Sequence, residues 1–187
     1  MIEYILREAE EKDIPQIALI HIEAMRANPS NDVFSGYMEN ISPDEHLGTW
    51  LEKFRNLKPL ARMFVAEADG LIIGFGEVGP SVDYAVGNKT SSFYGLYILP
   101  EFQGKGVGLA IQKRGLDYLR DAGFDSVGGW IKEDNHLVTK IFSVENGWLF
   151  DGERYSFTAG SNFKEIRIKK ILRGEGSDST SSSGEKI

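Results

Sequence analysis
One stretch limits what this chain can fold into more than any other: Leu96-Tyr97-Ile98-Leu99-Pro100-Glu101-Phe102-Gln103-Gly104-Lys105-Gly106-Val107-Gly108-Leu109-Ala110. The run from Phe93 to Leu99 reads as a strand, and it stops at Pro100 because proline cannot donate to a ladder. A glycine-spaced turn then opens a helix from about Val107 to Ala122. Val107, Ala110, Ile111, Gly115, Tyr118 and Ala122 fall on one side of it. Glycine lets backbone approach a ligand closely, and the first helical turn carries unpaired N–H groups and a partial positive charge. A strand feeding such a turn makes an anion site suited to a pyrophosphate. The glycines run G-x-G-x-G, so the dinucleotide pattern G-x-G-x-x-G is absent, as is the phosphate loop G-x-x-x-x-G-K-[ST]. What stands here is Q-x-x-G-x-G, from Gln103 to Gly108.

The rest of the chain supplies a scaffold. Tyr4 to Arg7 is a short first strand. Asp13 is placed to cap a helix with Pro15 in its first turn and Ile14, Ile17, Ala18, His21 and Met25 on one face, ended by Asn28-Pro29-Ser30-Asn31. Ser42-Pro43-Asp44-Glu45 has the form of a capping box before a helix bearing Leu47, Trp50, Leu51 and Phe54, closed by Pro59. Met63–Ala66 and Leu71–Phe75 are apolar strands, and Asp69-Gly70 between them signals a hairpin. Residues 79–91 read as a loop. Asp125 to Ile131 is a strand, Asn135 caps a helix with Leu137, Val138, Ile141 and Phe142, and Gly147-Trp148 opens a strand pair ending at Ile166 to Leu172. The order β-α-α-β-β-β-α-β-α-β-β predicts an α/β domain over residues 1–172 built on a central mixed sheet. Residues 173–187 are Gly, Ser, Thr and charge, a composition that cannot bury a core and predicts a disordered tail.

The loop Gln103–Gly108 after a strand ending in Pro100 resembles the acyl-CoA pyrophosphate loop of the GNAT superfamily of N-acetyltransferases. Gly95 to Pro100 resembles that family's preceding strand, and Asn135 through Gly147-Trp148 its second signature. Asp151-Gly152 and Glu165-Ile166-Arg167 resemble closing-strand features of one branch. The resemblance spans roughly residues 3–172. It implies a sheet that splays at Leu96, Tyr97 and Ile98, whose backbone would pair with the pantetheine arm and polarise the thioester carbonyl. Gln103, Gly104, Lys105, Gly106, Val107, Gly108 and Leu109 would cradle the pyrophosphate, and Asn135 and Phe142 would line the pantetheine region. Acetyl-CoA is the implied co-substrate, and no metal is implied. The reaction is attack of a primary amine, in a small molecule or a peptide, on the thioester within a ternary complex. A homodimer is common in the family.

Two positions depart from the family pattern. A Tyr often stands seven residues after the Asn, as proton donor to the thiolate; here that position is Phe142, and counting back from Gly147 gives Ser143. Ser143, Tyr155 or a water are the candidates to substitute, and a free CoA thiolate is itself a tolerable leaving group, so the departure need not abolish activity. A Glu often stands five residues before the strand's Tyr, where this chain has Ser92. Glu77 is the first candidate for the base, followed by Glu133 and Asp134. The missing Tyr keeps a second reading open, a non-catalytic acyl-CoA-binding module. A nucleotide or phosphate binder using the same turn is a third.

Other features narrow the field. The chain has 187 residues and no cysteine, which excludes disulfides, thiolate metal sites and a cysteine nucleophile. A net charge of −7 disfavours nucleic acid as a partner. The N-terminus lacks a signal-peptide pattern, and no apolar run approaches the roughly 20 residues that span a bilayer, so no membrane association and a cytoplasmic location are expected. Asn40-Ile41-Ser42 and Asn88-Lys89-Thr90 match the glycosylation pattern by chance on that reading. His21, His46 and His136 show no metal-ligand spacing; His21, Trp50 and Phe54 read as packing residues. Tyr84 is read as exposed, and Lys105 and Lys113 as solvated or as contacts to CoA phosphates.

Overall fold
A computed structural model describes residues 2–27, 41–81, 89–158 and 162–173. The expected end of the first helix at residues 28–31, Asn40, Tyr84, Asn88 and the tail beyond Arg173 lie outside the described residues. The elements run in the expected order: β1 (Ile5–Glu8), α1 (Ile14–Arg26), α2 (Pro43–Arg55), β2 (Arg62–Ala68), β3 (Leu71–Pro80), β4 (Thr90–Ile98), α3 (Val107–Asp121), β5 (Ser126–Lys132), α4 (His136–Ile141), β6 (Leu149–Thr158) and β7 (Asn162–Ile171). They form one seven-stranded sheet in the order β1-β2-β3-β4-β5-β7-β6. Every neighbouring pair is antiparallel except β4 with β5. Among the described residues no helix is long and apolar enough to cross a membrane.

Helices cover both faces of the sheet's first half, which is why β2 reads as an unbroken apolar run rather than an alternating one. Met63 and Val65 point to one side, where Ile14, Ile17 and Ile20 of α1 and Trp50 of α2 bury against Ile72 and Phe75. Phe64 and Ala66 point to the other, against Val107, Ile111 and Leu119 of α3. The Asp69-Gly70 hairpin forms with both residues at positive φ, 50° and 79°. The sheet, not local hydropathy, extends β3 five residues past Phe75 to Pro80, because that segment is hydrogen-bonded between β2 and β4; residues 79–80 and 90–91, expected as loop, are therefore strand.

Two of the three expected side-chain caps do not form. Ser42 and Asp13 stand at N-cap positions, with Pro43 first and Pro15 second in the helix that follows, but neither side chain caps its helix. The buried Asp13 carboxylate instead receives Arg7 through two hydrogen bonds of 2.6 and 2.8 Å, and the Glu10 N–H at 2.8 Å. Arg7 also reaches Glu67 on β2, tying β1 to the start of α1. A charged partner outcompetes a neutral helix N–H for a carboxylate.

Candidate active site
The sheet comes apart at its centre. β4 and β5 pair only at Thr90↔Ser126, Ser91↔Val127 and Ser92↔Gly128. Beyond that, β5 continues beside β7, while β4 continues beside β3 as far as Ile98. A bulge in β4 lies at the fork: Phe93 faces Val78 and Gly95 faces Glu77, so Tyr94 is the extra residue. The bulge changes which main-chain groups face the opening. Ser81 donates to Thr90 O before it and Leu99 donates to Ile73 O after it, at 2.9 and 3.1 Å. Alternation along the strand then turns the N–H and C=O of Leu96 and Ile98 toward the open side. Of the strand residues singled out in the sequence, Leu96 and Ile98 thus present backbone to the opening, and Tyr97 presents a side chain to one face.

The glycine turn stands at the end of this opening. Gly104 and Gly106 have φ of 70° and 88°, the left-handed region, with open space where a Cβ would sit. Backbone conformation, not crowding, therefore requires glycine at both. Gly106 caps α3 without any side-chain cap, and the first bond back to it comes from Ala110 at 3.1 Å. The N–H groups of Val107, Gly108 and Leu109 precede that bond, which leaves the start of α3 an anion-binding end. Gly108 serves packing: a Cβ there would lie 2.9 Å from Ile141 Cδ1. The Gln103 side chain donates to Ile98 O at 3.1 Å, so it closes the strand end and contributes only main chain to the turn. Lys105 Nζ lies 5.5 Å from the Phe102 ring.

On the face covered by α1 and α2, the fork borders a polar and aromatic cluster. Glu77, 5% exposed, is ion-paired with Lys53 Nζ at 2.5 Å, and Lys53 lies over the Trp50 ring. Glu77 is the register partner of Gly95. The Tyr97 ring stacks on Phe75 and folds back over Gly95 so closely that a Cβ there would lie 2.6 Å from Tyr97 Cε2. Burial first, and the charge of Glu77 second, push the Tyr97 phenol above its usual value. His21 packs its ring against the Tyr97 edge and stacks on His46. Trp50 Nε1 lies 3.0 Å from His46 Nε2, and His21 Nδ1 lies 3.1 Å from the same atom. An indole N–H only donates, so His46 Nε2 is an acceptor and His21 carries its proton on Nδ1. Burial, then the charges of His46 and Lys53, push His21 down to about 4, so it is neutral at pH 7. The sequence alone reads His21 and Trp50 as packing residues, and nothing in a 25-residue separation signals that His21 and His46 meet.

The second half of the molecule places the remaining candidates. Asn135 caps α4, its side chain accepting from Val138 N at 3.2 Å. Helix α4 ends at Ile141, one residue short of the expected Phe142. Phe142 turns inward, edge-on to both Phe93 and Trp148. Ser143 adopts extended backbone; its Oγ is sealed from solvent with no hydrogen-bond partner among the described residues, as is Trp148 Nε1. Tyr155 is exposed on β6 against Trp130, with β7 between it and β5. Two strand spacings put its backbone about 10 Å from β5. Glu133 pairs with Arg154 at the surface, and Asp134 is exposed. Among the described residues no group of three or more His, Cys, Asp or Glu could hold a metal.

A mixed sheet forked beside an open helix N-terminus is the arrangement that the resemblance to acetyltransferases leads one to expect. The model of the acetyltransferase (GNAT) family matches residues 3–143, so the chain belongs to that family. It is 31% identical over 134 residues to the uncharacterised N-acetyltransferase YuaI of Bacillus subtilis (strain 168), covering 71% of this chain and 74% of that one. In fold it is similar to the ribosomal-protein-alanine N-acetyltransferase of Brucella melitensis, with TM-score 0.71 and 18% identity over 89% of this chain and 99% of that one. It is also similar to the PaiA N-acetyltransferase of Thermoplasma acidophilum in complex with coenzyme A, with TM-score 0.67 and 18% identity over 91% and 99%.

Proposed function
We propose that this protein transfers an acetyl group from acetyl-CoA to a primary amine, of a small molecule or a peptide, by direct attack in a ternary complex. The observation that carries this is the continuity of the fork with the turn: the open edge of β4 at Leu96 and Ile98 runs toward the unpaired N–H groups at the start of α3. An extended, amide-bearing arm would lie along β4 as an added strand, with its pyrophosphate on residues 103–109. The bound coenzyme A of the Thermoplasma protein and the alanine acceptor of the Brucella protein support the donor and a peptide-type acceptor.

In this reading the Leu96 N–H faces the thioester carbonyl and stabilises the oxyanion, in a setting where a fixed donor outweighs mobile water. Glu77 takes the amine proton: it is a carboxylate on the α1–α2 face of the fork, held by Lys53. Asn135 and Phe142 shape the arm's surroundings through α4, Asn135 by capping it and Phe142 by anchoring its end. Ser143 and Tyr155 are the hydroxyls that would replace the missing donor, but Tyr155 stands two strands from the fork. That shortfall is the observation favouring the second reading, an acyl-CoA-binding module without turnover. Two measurements separate them: thermal shift with acetyl-CoA, CoA, ATP and NAD, and CoA thiol release with a panel of amines. Stabilisation by the CoA compounds together with amine-dependent release supports transfer. Stabilisation without release from any amine leaves the binding module, and no stabilisation by CoA overturns both.

A further inference from the structure
The counted donor position holds Phe142, packed between Phe93 and Trp148. A phenol nevertheless stands at the fork. The Tyr97 ring folds over Gly95, and its hydroxyl lies 3.2 Å from where a Gly95 Cβ would be. Gly95 adjoins the bulge residue Tyr94 and precedes Leu96, whose main chain faces the opening. The ring is held on two sides, stacked on Phe75 at 5.1 Å between centroids and met edge-on by His21 at 4.6 Å. Glu77 is directly across from Gly95 and so shares its face with the phenol. Tyr94, by contrast, donates its hydroxyl to Pro80 O.

Resting on the acetyl-transfer reading above, we propose that the Tyr97 hydroxyl is the proton donor to the departing CoA sulfur, and that Glu77 restores its proton. The amine lone pair forms the N–C bond and the carbonyl pair moves to oxygen. Glu77 takes one N–H proton. On collapse the C–S bond breaks, its electron pair stays on sulfur, and the Tyr97 proton joins that sulfur. The phenolate then takes the proton from the Glu77 carboxylic acid. One proton has moved from amine to thiol, and nothing is oxidised or reduced.

The electrostatics couple the two steps. The Glu77 charge is one cause of the phenol's raised value. While Glu77 is ionised, Tyr97 keeps its proton. Once Glu77 has taken the amine proton that charge is gone, and the phenol becomes a stronger acid as the sulfur departs. Near the phenol stand Glu77 from β3 and His21 from α1, which is neutral at pH 7, and Lys53 from α2 is paired with Glu77.

The test is Tyr97→Phe, which keeps the ring and both ring contacts. Its melting temperature and its stabilisation by acetyl-CoA should match the wild type. With a panel of an Ala-led peptide, a Lys-bearing peptide and spermidine, kcat from acetyl-CoA should fall about 100-fold or more. With acetyl-seleno-CoA, whose selenolate leaves without a proton, most of that deficit should vanish. Replacing Tyr97 by 3-fluorotyrosine, the same shape with a more acidic phenol, should move the alkaline limb of kcat to lower pH. An unchanged kcat in Tyr97→Phe overturns the assignment, as does an equal deficit with both donors or an unmoved limb. A wild type that binds acetyl-CoA but acetylates nothing overturns the transfer reading, and the assignment with it.

Discussion

Substitution of Gly106 by Glu separates the cost of the turn from its purpose. Gly106 sits at φ 88° and ψ −8°, and nothing lies within 4 Å of a Cβ placed there. The folding penalty is therefore the backbone term alone, about 1–2 kcal/mol for an L residue in the left-handed region. A carboxylate at the start of α3 also gains about 0.3–1 kcal/mol from the helix dipole. The difference is a loss of about 0–2 kcal/mol, or at most about 8 °C in Tm for a chain of this size. Acetyl-CoA at about 100 times its Kd should stabilise the wild type by about 2.7 kcal/mol, a rise of about 5–11 °C. In Gly106→Glu the new carboxylate competes for the same N–H groups and repels the pyrophosphate, so this rise should disappear. Differential scanning fluorimetry with and without acetyl-CoA reads both effects. A variant that keeps the full ligand-induced rise would refute an anion site at the start of α3. An apo variant that loses far more than the backbone term would show that the site is not open as described.

Phe142→Ala removes a ring packed on Phe93 and Trp148 and should destabilise the fold by about 3–5 kcal/mol, read by urea unfolding. His21 binds its proton more weakly folded than unfolded, so the unfolded state takes up more protons between pH 6.5 and about 4, and stability must fall on acidification through that window. From pH 7 to pH 5 this amounts to about 2 kcal/mol, and His21→Gln should lose less over the same interval. Arg7→Met leaves the buried Asp13 carboxylate without its guanidinium and should cost about 2–3 kcal/mol at pH 7. Arg7 holds Asp13 below the usual carboxylate range, so the wild type's advantage should be full above that range and fade as pH drops through the lowered value.

What could be read from the sequence is what local chemistry decides. Asp69-Gly70 demands positive φ at two adjacent residues, and Gly104 and Gly106 announce a turn that other residues would strain. Strand β2 is apolar on both faces, which is itself a statement that helices cover both. The misjudged features depend on partners that no local spacing rule selects. Arg7 draws Asp13 away from capping α1. The ladder to β2 and β4 carries β3 through Gly76, Glu77 and Gly79, where hydropathy falters. The spacing count to Phe142 and Ser143 assumed continuous helix, but Phe142 at φ −96°, ψ 42° has already left it. The meeting of His21, His46, Trp50 and Tyr97, and the ion pair of Lys53 with Glu77, follow from how α1 and α2 lie on the sheet. No spacing rule encodes that.

The short pairing of β4 with β5 bears on exchange and association. A strand edge is ordinarily hazardous because another chain can pair with it. Here the unpaired edge is recessed between diverging strands, where a flat foreign sheet cannot dock side by side. The N–H groups of Leu96 and Ile98 should therefore exchange with solvent faster than those of their neighbours Tyr97 and Leu99, which are bonded to β3. The middle strand of the sheet would then hold some of its least protected amides, and a ligand lying along β4 would slow them first.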